Sequence, residues 1–144
     1  MLLLEIFESE KELSEYFAAD ERRKVRDTIV AATYDEIMAR LSGKGEEWYR
    51  VVYRGKAADM VKHLSILKID NWQDYFMHIN IPKSWTLDDL SALVKEVCRY
   101  NNRPDVEPVL RCTSEISLSE DEVEVTLVVP KFDFGWKIGQ GFKK

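Results

Sequence analysis

Cysteine is scarce in this chain, which holds only Cys98 and Cys112 among its 144 residues. Two cysteines are too few for the disulfide framework of a small secreted domain, so we expect two reduced, mostly buried thiols. With only two histidines beside them, the chain also lacks the clusters of Cys and His that hold structural zinc. The composition therefore predicts a fold that depends on a hydrophobic core and has no cofactor.

Long apolar runs are also missing. No stretch approaches the roughly 20 apolar residues that a helix needs to cross a bilayer. The opening Met1-Leu-Leu-Leu4 is followed by Glu5, Glu8 and Glu10, without the basic flank of a signal peptide. These absences predict a cytoplasmic protein that does not associate with a membrane.

The sequence contains no glycine-rich phosphate loop. The segments Gly43-Lys-Gly45 and Arg54-Gly-Lys56 lack the spacing of a P-loop. No order of Ser, His and Asp typical of a hydrolase can be recognised either. Whether the chain is an enzyme stays open on these residues, but the lack of a catalytic motif favours a protein that binds rather than catalyses.

Two short segments carry the histidines in similar contexts, His63-Leu-Ser65 and His78-Ile-Asn80. They resemble the paired His-x-Ser/Thr motifs of two-histidine phosphoesterases, with Asn80 in place of the second hydroxyl residue. The resemblance implies a small phosphoesterase-like enzyme in which His63 and His78 converge on one phosphate, one as base and one as acid. The alternative is that the two histidines are unrelated and partly buried.

The middle of the chain carries the clearest structural signals. Alternation of apolar and polar residues over 75–81 predicts a half-buried strand that ends at Pro82. Thr86 is expected to cap the next helix, with Asp89 placed as in a capping box. The apolar stripe of this helix consists of Leu87, Leu90, Leu93, Val94 and Val97.

Two strands are predicted after this helix, over Val109–Leu118 and Val123–Val129. The link Ser119–Glu122 is short and polar, so the two strands are expected to pair as an antiparallel hairpin. A strand, a helix and a hairpin together indicate an α+β layer rather than a doubly wound parallel sheet.

The rest of the chain adds further elements to this layer. Strands are predicted over Met1–Phe7 and Trp48–Tyr53, and residues 21–41 fit either one helix or two, the second capped by Thr33. We therefore expect a single α+β domain with a mixed, mostly antiparallel sheet of about five strands and helices packed on one face. Residues 131–144 are expected as a last edge strand or as a basic, aromatic C-terminal arm.

Charge is distributed unevenly along the chain. The net charge is −5, and the last fourteen residues hold four lysines and one aspartate, so residues 1–130 carry −8. An acidic body repels phosphate backbones, which disfavours general nucleic-acid binding. A protein partner with a basic surface fits this charge best.

Two groups of residues are candidates for contact with such a partner, one around the predicted hairpin and one in the C-terminal segment. They are Glu115, Glu120, Asp121, Glu122 and Glu124 in the first group, and Phe132, Trp136 and Lys137 in the second. The same residues fit simpler roles, because charge protects a sheet edge and aromatic rings cover the edge of a core.

The leading hypothesis is a non-enzymatic protein-binding module, an inhibitor or immunity-type protein that masks a basic surface of its partner. In size, acidity and lack of catalytic motifs the chain is similar to phage-encoded inhibitors and bacterial immunity proteins, which is a likeness of composition. The alternative is a nucleic-acid or nucleotide-binding protein that uses residues 131–144, where aromatic rings and lysines suit stacking on bases. The phosphoesterase-like enzyme is the third hypothesis.

Overall fold

The structure is a computed structural model, and it describes residues 1–21, 27–44, 46–65, 74–100 and 106–130. The elements in chain order are β1 (Leu2–Phe7), α1 (Glu10–Glu21), β2 (Asp27–Val30), α2 (Tyr34–Leu41), β3 (Trp48–Lys56), a 3-10 turn (Ala57–Asp59), α3 (Met60–Leu64), β4 (Phe76–Pro82), α4 (Leu87–Tyr100), β5 (Val109–Glu115) and β6 (Glu122–Pro130). Within the described ranges, no helix has the length and apolar character needed to cross a membrane.

Six strands form one mixed sheet in the order β1-β3-β6-β4-β5-β2. Neighbouring strands are antiparallel, except for β4 and β5, which run parallel and are joined by α4. A parallel pair requires such a crossover, because a tight turn can only join antiparallel strands. The predicted α+β class and the mixed, mostly antiparallel sheet are confirmed.

The predicted hairpin between β5 and β6 is wrong, because β4 lies between these two strands. β4 is buried along all seven residues and needs a neighbour on each side. The link of residues 116–121 instead crosses the end of β4, where Pro82 pairs with Glu115. Since strands lie about 4.8 Å apart, skipping one strand requires about 10 Å, which a link of this length easily spans.

Helices cover both faces of the sheet, which corrects the expectation that they pack on one face. On the face that we call the α4 face, α3 and α4 pack against residues such as Tyr49 and Met77. On the opposite face, which we call the α1 face, α1 and α2 cover Trp48 and Phe76. Because β3 and β4 carry large apolar side chains on both faces, each face needs its own layer of helices.

α4 begins where the sequence predicts. The Asp89 N–H donates to Thr86 Oγ1 at 3.2 Å, and the Thr86 N–H donates to Asp89 Oδ2 at 2.9 Å, which completes the capping box. Leu90 and Val97 are buried on the α4 face, as expected from the apolar stripe. Leu87 departs from that stripe, because its side chain is 70% exposed.

Residues 21–41 contain a strand that the helical spacing does not predict. β2 lies at the edge of the sheet and pairs with β5. α2 then begins at Tyr34 with the predicted cap, a capping box between Thr33 and Glu36, but neither predicted alternative, one helix or two, includes β2. Residues 28–30 are β-branched, so they favour a strand once a neighbouring strand offers hydrogen bonds.

Candidate functional site

A chain of hydrogen bonds joins four polar side chains on the α1 face of β4 and β5. His78 Nε2 lies 2.8 Å from Thr113 Oγ1, and Thr113 Oγ1 lies 2.9 Å from Asn80 Oδ1. Asn80 Nδ2 donates to Glu115 Oε1 at 2.6 Å. We call these four residues the polar chain. Three of them are buried, and a buried polar group without a partner costs roughly 1–3 kcal/mol, so the chain stabilises the fold only while it is complete.

The polar chain has one direction of donation. The Thr113 hydroxyl has a single proton, which it donates to Asn80 Oδ1, so His78 must donate to Thr113 through its Nε2–H. The Asn80 amide cannot be turned over, because its oxygen would then face the Glu115 carboxylate. Glu115 therefore fixes the orientation of the Asn80 amide, and through it the direction in which Thr113 and His78 donate.

The polar chain also anchors the start of the link between β5 and β6. Glu115 is the last residue of β5, and its Oε2 accepts a hydrogen bond from Ser117 Oγ. Leu118 is buried, with 6% of its surface exposed. Ile116 stands between these anchored residues, yet its side chain is 88% exposed.

Two further contacts hold the end of the link. Trp85 Nε1 donates to the carbonyl oxygen of Glu120 at 2.7 Å. The Ala57 N–H donates to the carbonyl oxygen of Asp121 at 2.9 Å. Both contacts use the backbone of the link, so the side chains of Glu120 and Asp121 remain exposed.

The hydrogen bond between Trp85 and Glu120 joins the link to the segment that leads into α4. We call this surface the acidic end and define it as residues 83–89 and 115–122, which carry six carboxylates and one lysine. Leu87 and Ile116 are the strongly exposed apolar side chains of this surface. Apolar side chains surrounded by a polar rim are the usual anatomy of a protein–protein contact.

Three of the five predicted acidic contact residues are held by neighbours. Glu115 belongs to the polar chain, while Arg54 lies 3.8 Å from Glu122 and 3.6 Å from Glu124. Arg54 reaches these carboxylates because β3 pairs with β6 in a register that places Arg54 opposite Glu124. The other two, on the link, make no ion pair with any residue in the described part of the chain.

The predicted aromatic and basic contact residues, Phe132, Trp136 and Lys137, lie outside the described residues. The same holds for the whole segment 131–144. The hypothesis that this segment binds a protein or a nucleic acid stays a prediction.

The two histidines lie on opposite faces of the sheet. His63 is in α3, where its ring centroid lies 5.2 Å from that of Tyr53 and its Nδ1 lies 2.9 Å from the carbonyl oxygen of Asp59. Tyr53 belongs to the α4 face, whereas His78 lies on the α1 face within the polar chain. The sheet separates the imidazoles, so they do not converge on one phosphate as the phosphoesterase resemblance implies.

The two strongly exposed apolar residues of the acidic end, Leu87 and Ile116, are absent from the predicted contact residues. Leu87 has the spacing of the buried stripe of α4, so its exposure has no signal in the sequence. Ile116 falls within a predicted strand, two positions before Leu118, which is buried. The two residues look alike in sequence, so the exposure of Ile116 has no signal there either.

Other parts of the structure offer less for a ligand. Across the residues with described placement, no three His, Cys, Asp or Glu side chains are grouped to hold a metal ion. An open cleft beside α2 is lined by Glu36, Arg40, Lys44 and Asp74. Its two cations and two carboxylates balance, so it selects no ligand by charge.

The two cysteines are expected to differ in reactivity. Both thiols are free, Cys112 is buried and Cys98 is partly exposed. Burial raises the pKa of Cys112 to about 11, so about one in a thousand of its thiols is ionised at about pH 8. We expect a thiol reagent to label Cys98 at least tenfold faster than Cys112 in the native protein, as measured by peptide mass spectrometry. In denaturant both should react at similar rates; similar rates in the native protein would contradict the burial of Cys112.

No protein-family model matches the sequence, and no curated protein matches it. Among solved structures, the chain is similar to a chain of the empty FtsZ dimer from M. jannaschii, with a TM-score of 0.55 and 19% identity. The match covers 72% of this chain and 32% of that one, so this chain spans about a third of the length of the protein it matches. At this identity the likeness concerns the fold alone, which is a shared arrangement of helices and strands.

Proposed function

We propose that this protein is a protein-binding module whose acidic end covers a basic surface of a partner protein, as an inhibitor or immunity-type protein does. The observation that carries the proposal is the exposure of Leu87 and Ile116 among the carboxylates of the acidic end. Full burial of such a side chain contributes roughly 1.5–3 kcal/mol. Contact with a partner would bury these side chains and provide that free energy, which their exposure to water does not.

The anchoring of the link supports the same function. The link is fixed at its start by the polar chain and at its end by Trp85 and Ala57, before any partner binds. A loop already held by its own hydrogen bonds loses less conformational entropy when it associates. The link is therefore suited to present Ile116 and its flanking carboxylates in one conformation.

Charge determines which partner fits. The acidic end carries a large excess of carboxylates, and no cation among the described residues forms an ion pair with Glu120 or Asp121. A partner with lysines and arginines around an apolar pocket complements this surface, and opposite charges accelerate encounter. Because salt screens exposed charges, the association should weaken as ionic strength rises.

Reversing the two exposed charges of the link is expected to reduce partner capture at least tenfold. The test immobilises the full chain, exposes it to a lysate of the source organism and quantifies bound proteins by mass spectrometry. Wild type should enrich a basic protein that the double variant Glu120→Lys/Asp121→Lys releases. Among the described residues, the two exposed side chains make no hydrogen bond or ion pair, so we expect the variant to fold normally.

The matched control is the double variant Glu46→Lys/Glu96→Lys, which changes the net charge by the same amount at two exposed positions outside the acidic end. It should capture the same protein as wild type does. Equal capture by both double variants, with melting temperatures unchanged, would show that the acidic end is not the binding surface.

The apolar part of the surface can be tested separately with Ile116→Ser. Charge mainly sets the rate of association, whereas a buried apolar contact mainly sets the rate of dissociation. We therefore expect Ile116→Ser to accelerate dissociation from the captured protein several-fold and to change the association rate little, as measured by surface plasmon resonance. An unchanged dissociation rate would remove Ile116 from the contact.

A further inference from the structure

Among the strands that the structure describes, β1 lies at an edge of the sheet, and its outward backbone groups can be identified from its hydrogen bonds to β3. The Met1 amino group donates to the carbonyl oxygen of Arg54 at 2.6 Å, and the Arg54 N–H donates to the carbonyl oxygen of Met1 at 2.8 Å. In an antiparallel pair, residues that exchange both bonds alternate with residues that exchange none. The register has no shift, so Leu2, Leu4 and Ile6 direct their N–H and C=O groups away from β3.

Within the described residues, this edge lacks the features that usually prevent strands from pairing between molecules. β1 has six residues without proline or lysine, and the carboxylate of Glu5 lies 2.8 Å from the guanidinium of Arg50 on the neighbouring strand. The other edge strand, β2, has four residues and a register shift between Thr28 and Val30. Shortness and irregularity thus protect β2, whereas β1 is long, regular and apolar.

We propose that β1 pairs antiparallel with β1 of a second copy of this chain, with the two-fold axis at Leu4. Each Leu4 then faces the Leu4 of the other copy, and each Leu2 faces an Ile6. The outward groups of these three residues provide six hydrogen bonds between the copies, three donated by each strand. The two six-stranded sheets become one continuous sheet of twelve strands.

The side chains of β1 are self-complementary in this register. A second copy of the chain is therefore the partner that fits the β1 edge. On the α4 face, Leu2, Leu4 and Ile6 of each copy meet the same three apolar residues of the other. On the α1 face, Leu3 lies opposite Glu5, so no two carboxylates lie directly opposite each other. The charge of Glu5 is already balanced by Arg50 within its own chain.

The dimer is expected to be weak and to depend on concentration. A single edge strand of six residues buries much less surface than the roughly 1,600 Å² of a standard stable interface. Both copies also carry a net charge of −5, so repulsion opposes association and added salt should strengthen it. This salt dependence is opposite to that expected for the acidic end and its basic partner, so the two associations are distinguishable.

The test is sedimentation velocity of the full chain from micromolar to millimolar concentration. Wild type should shift from monomer to dimer, and Ile6→Pro should stay monomeric. A proline at position 6 removes an N–H that points away from β3, so the intramolecular ladder keeps its bonds. The matched control Ile6→Ala removes most of the same exposed side chain but keeps the N–H, and it should still dimerise, with an association constant reduced less than tenfold.

A second measurement needs no variant. Amide hydrogen exchange of wild type at low and high concentration should show slower exchange at Leu2, Leu4 and Ile6 when the protein is concentrated. A wild-type protein that stays monomeric at millimolar concentration in high salt would overturn the proposal. So would a dimer that forms equally with Ile6→Pro, or one whose exchange slows elsewhere and not in β1.

Discussion

Replacing Phe17 with alanine is expected to lower the free energy of unfolding by about 3–5 kcal/mol. Phe17 is fully buried between α1 and the sheet, where its ring meets that of Phe76 edge to face at a centroid distance of 5.0 Å. The substitution removes the aromatic contact and leaves a cavity that the surrounding strands cannot close. Urea denaturation followed by tryptophan fluorescence measures the loss.

The matched variant for this prediction is Leu93→Ala, which removes a buried side chain of α4 on the opposite face. We expect it to cost about 2–5 kcal/mol. Comparable losses from both variants indicate that each helix layer covers an apolar face of the same sheet. If Phe17→Ala cost less than about 1 kcal/mol, as a surface substitution does, the packing of α1 against the sheet would be contradicted.

Substitutions of Asn80 are expected to have the second large effect on stability. Asn80→Leu keeps a similar shape but leaves the Thr113 hydroxyl without its acceptor and the Glu115 carboxylate without its amide donor. Two polar groups then each lose one hydrogen bond, so we expect a loss of about 2–4 kcal/mol in the free energy of unfolding. A loss below about 0.5 kcal/mol would mean that the polar chain contributes nothing to stability.

In the variant Asn80→Asp, the effect of the substitution on the free energy of unfolding is expected to depend on pH. Its new carboxyl would face that of Glu115 in place of an amide that now donates at 2.6 Å. Two facing carboxyl groups can share a proton in acid but repel each other when both are ionised, so the folded state binds a proton more tightly than the unfolded state does. The stability deficit of the variant relative to wild type is therefore smallest at low pH and grows as the pH rises through neutrality.

We expect the deficit of Asn80→Asp to be at least 1 kcal/mol larger at about pH 7 than at about pH 4, measured by urea denaturation against wild type at each pH. Asn80→Leu introduces no ionisable group and should show a smaller change between the two conditions. Equal deficits of Asn80→Asp at both values would contradict the direct contact between Asn80 and Glu115.

The parts of the fold that follow from local signals are the parts that the sequence predicts. Thr86 and Asp89 form the expected capping box, because a cap depends on residues only three positions apart. Local signals do not predict which strands are neighbours in the sheet. A period of two shows which face of a strand is buried, but it does not show which strand lies alongside. For that reason β5 and β6 look like a hairpin in sequence although β4 separates them.

The second helix layer does leave a signal in the sequence. Trp48 and Phe76 alternate with Tyr49 and Met77, so both faces of two strands carry large apolar side chains. A solvent-facing side of a sheet would be mostly polar. The mixture of aromatic and polar residues on one face, including the buried His78, is what obscures this signal.

The candidate site is predictable only in part for a related reason. The run of carboxylates around the link is visible in sequence, but the side chains that bind some of them come from distant strands. Arg54 lies opposite Glu124 through the pairing of β3 with β6, and Asn80 reaches Glu115 through the pairing of β4 with β5. Only the tertiary structure shows that Glu120 is one of the carboxylates left exposed.

The measurement that tests the binding surface most directly is amide hydrogen exchange of the full chain with and without the captured partner. The acidic end is the proposed contact, so exchange should slow across residues 116–121 and 83–89 in the complex. Exchange in α2 and around Glu46, outside the acidic end, should stay unchanged. A complex in which the slowed amides lie elsewhere, with 116–121 exchanging as in the free protein, would contradict the proposed function.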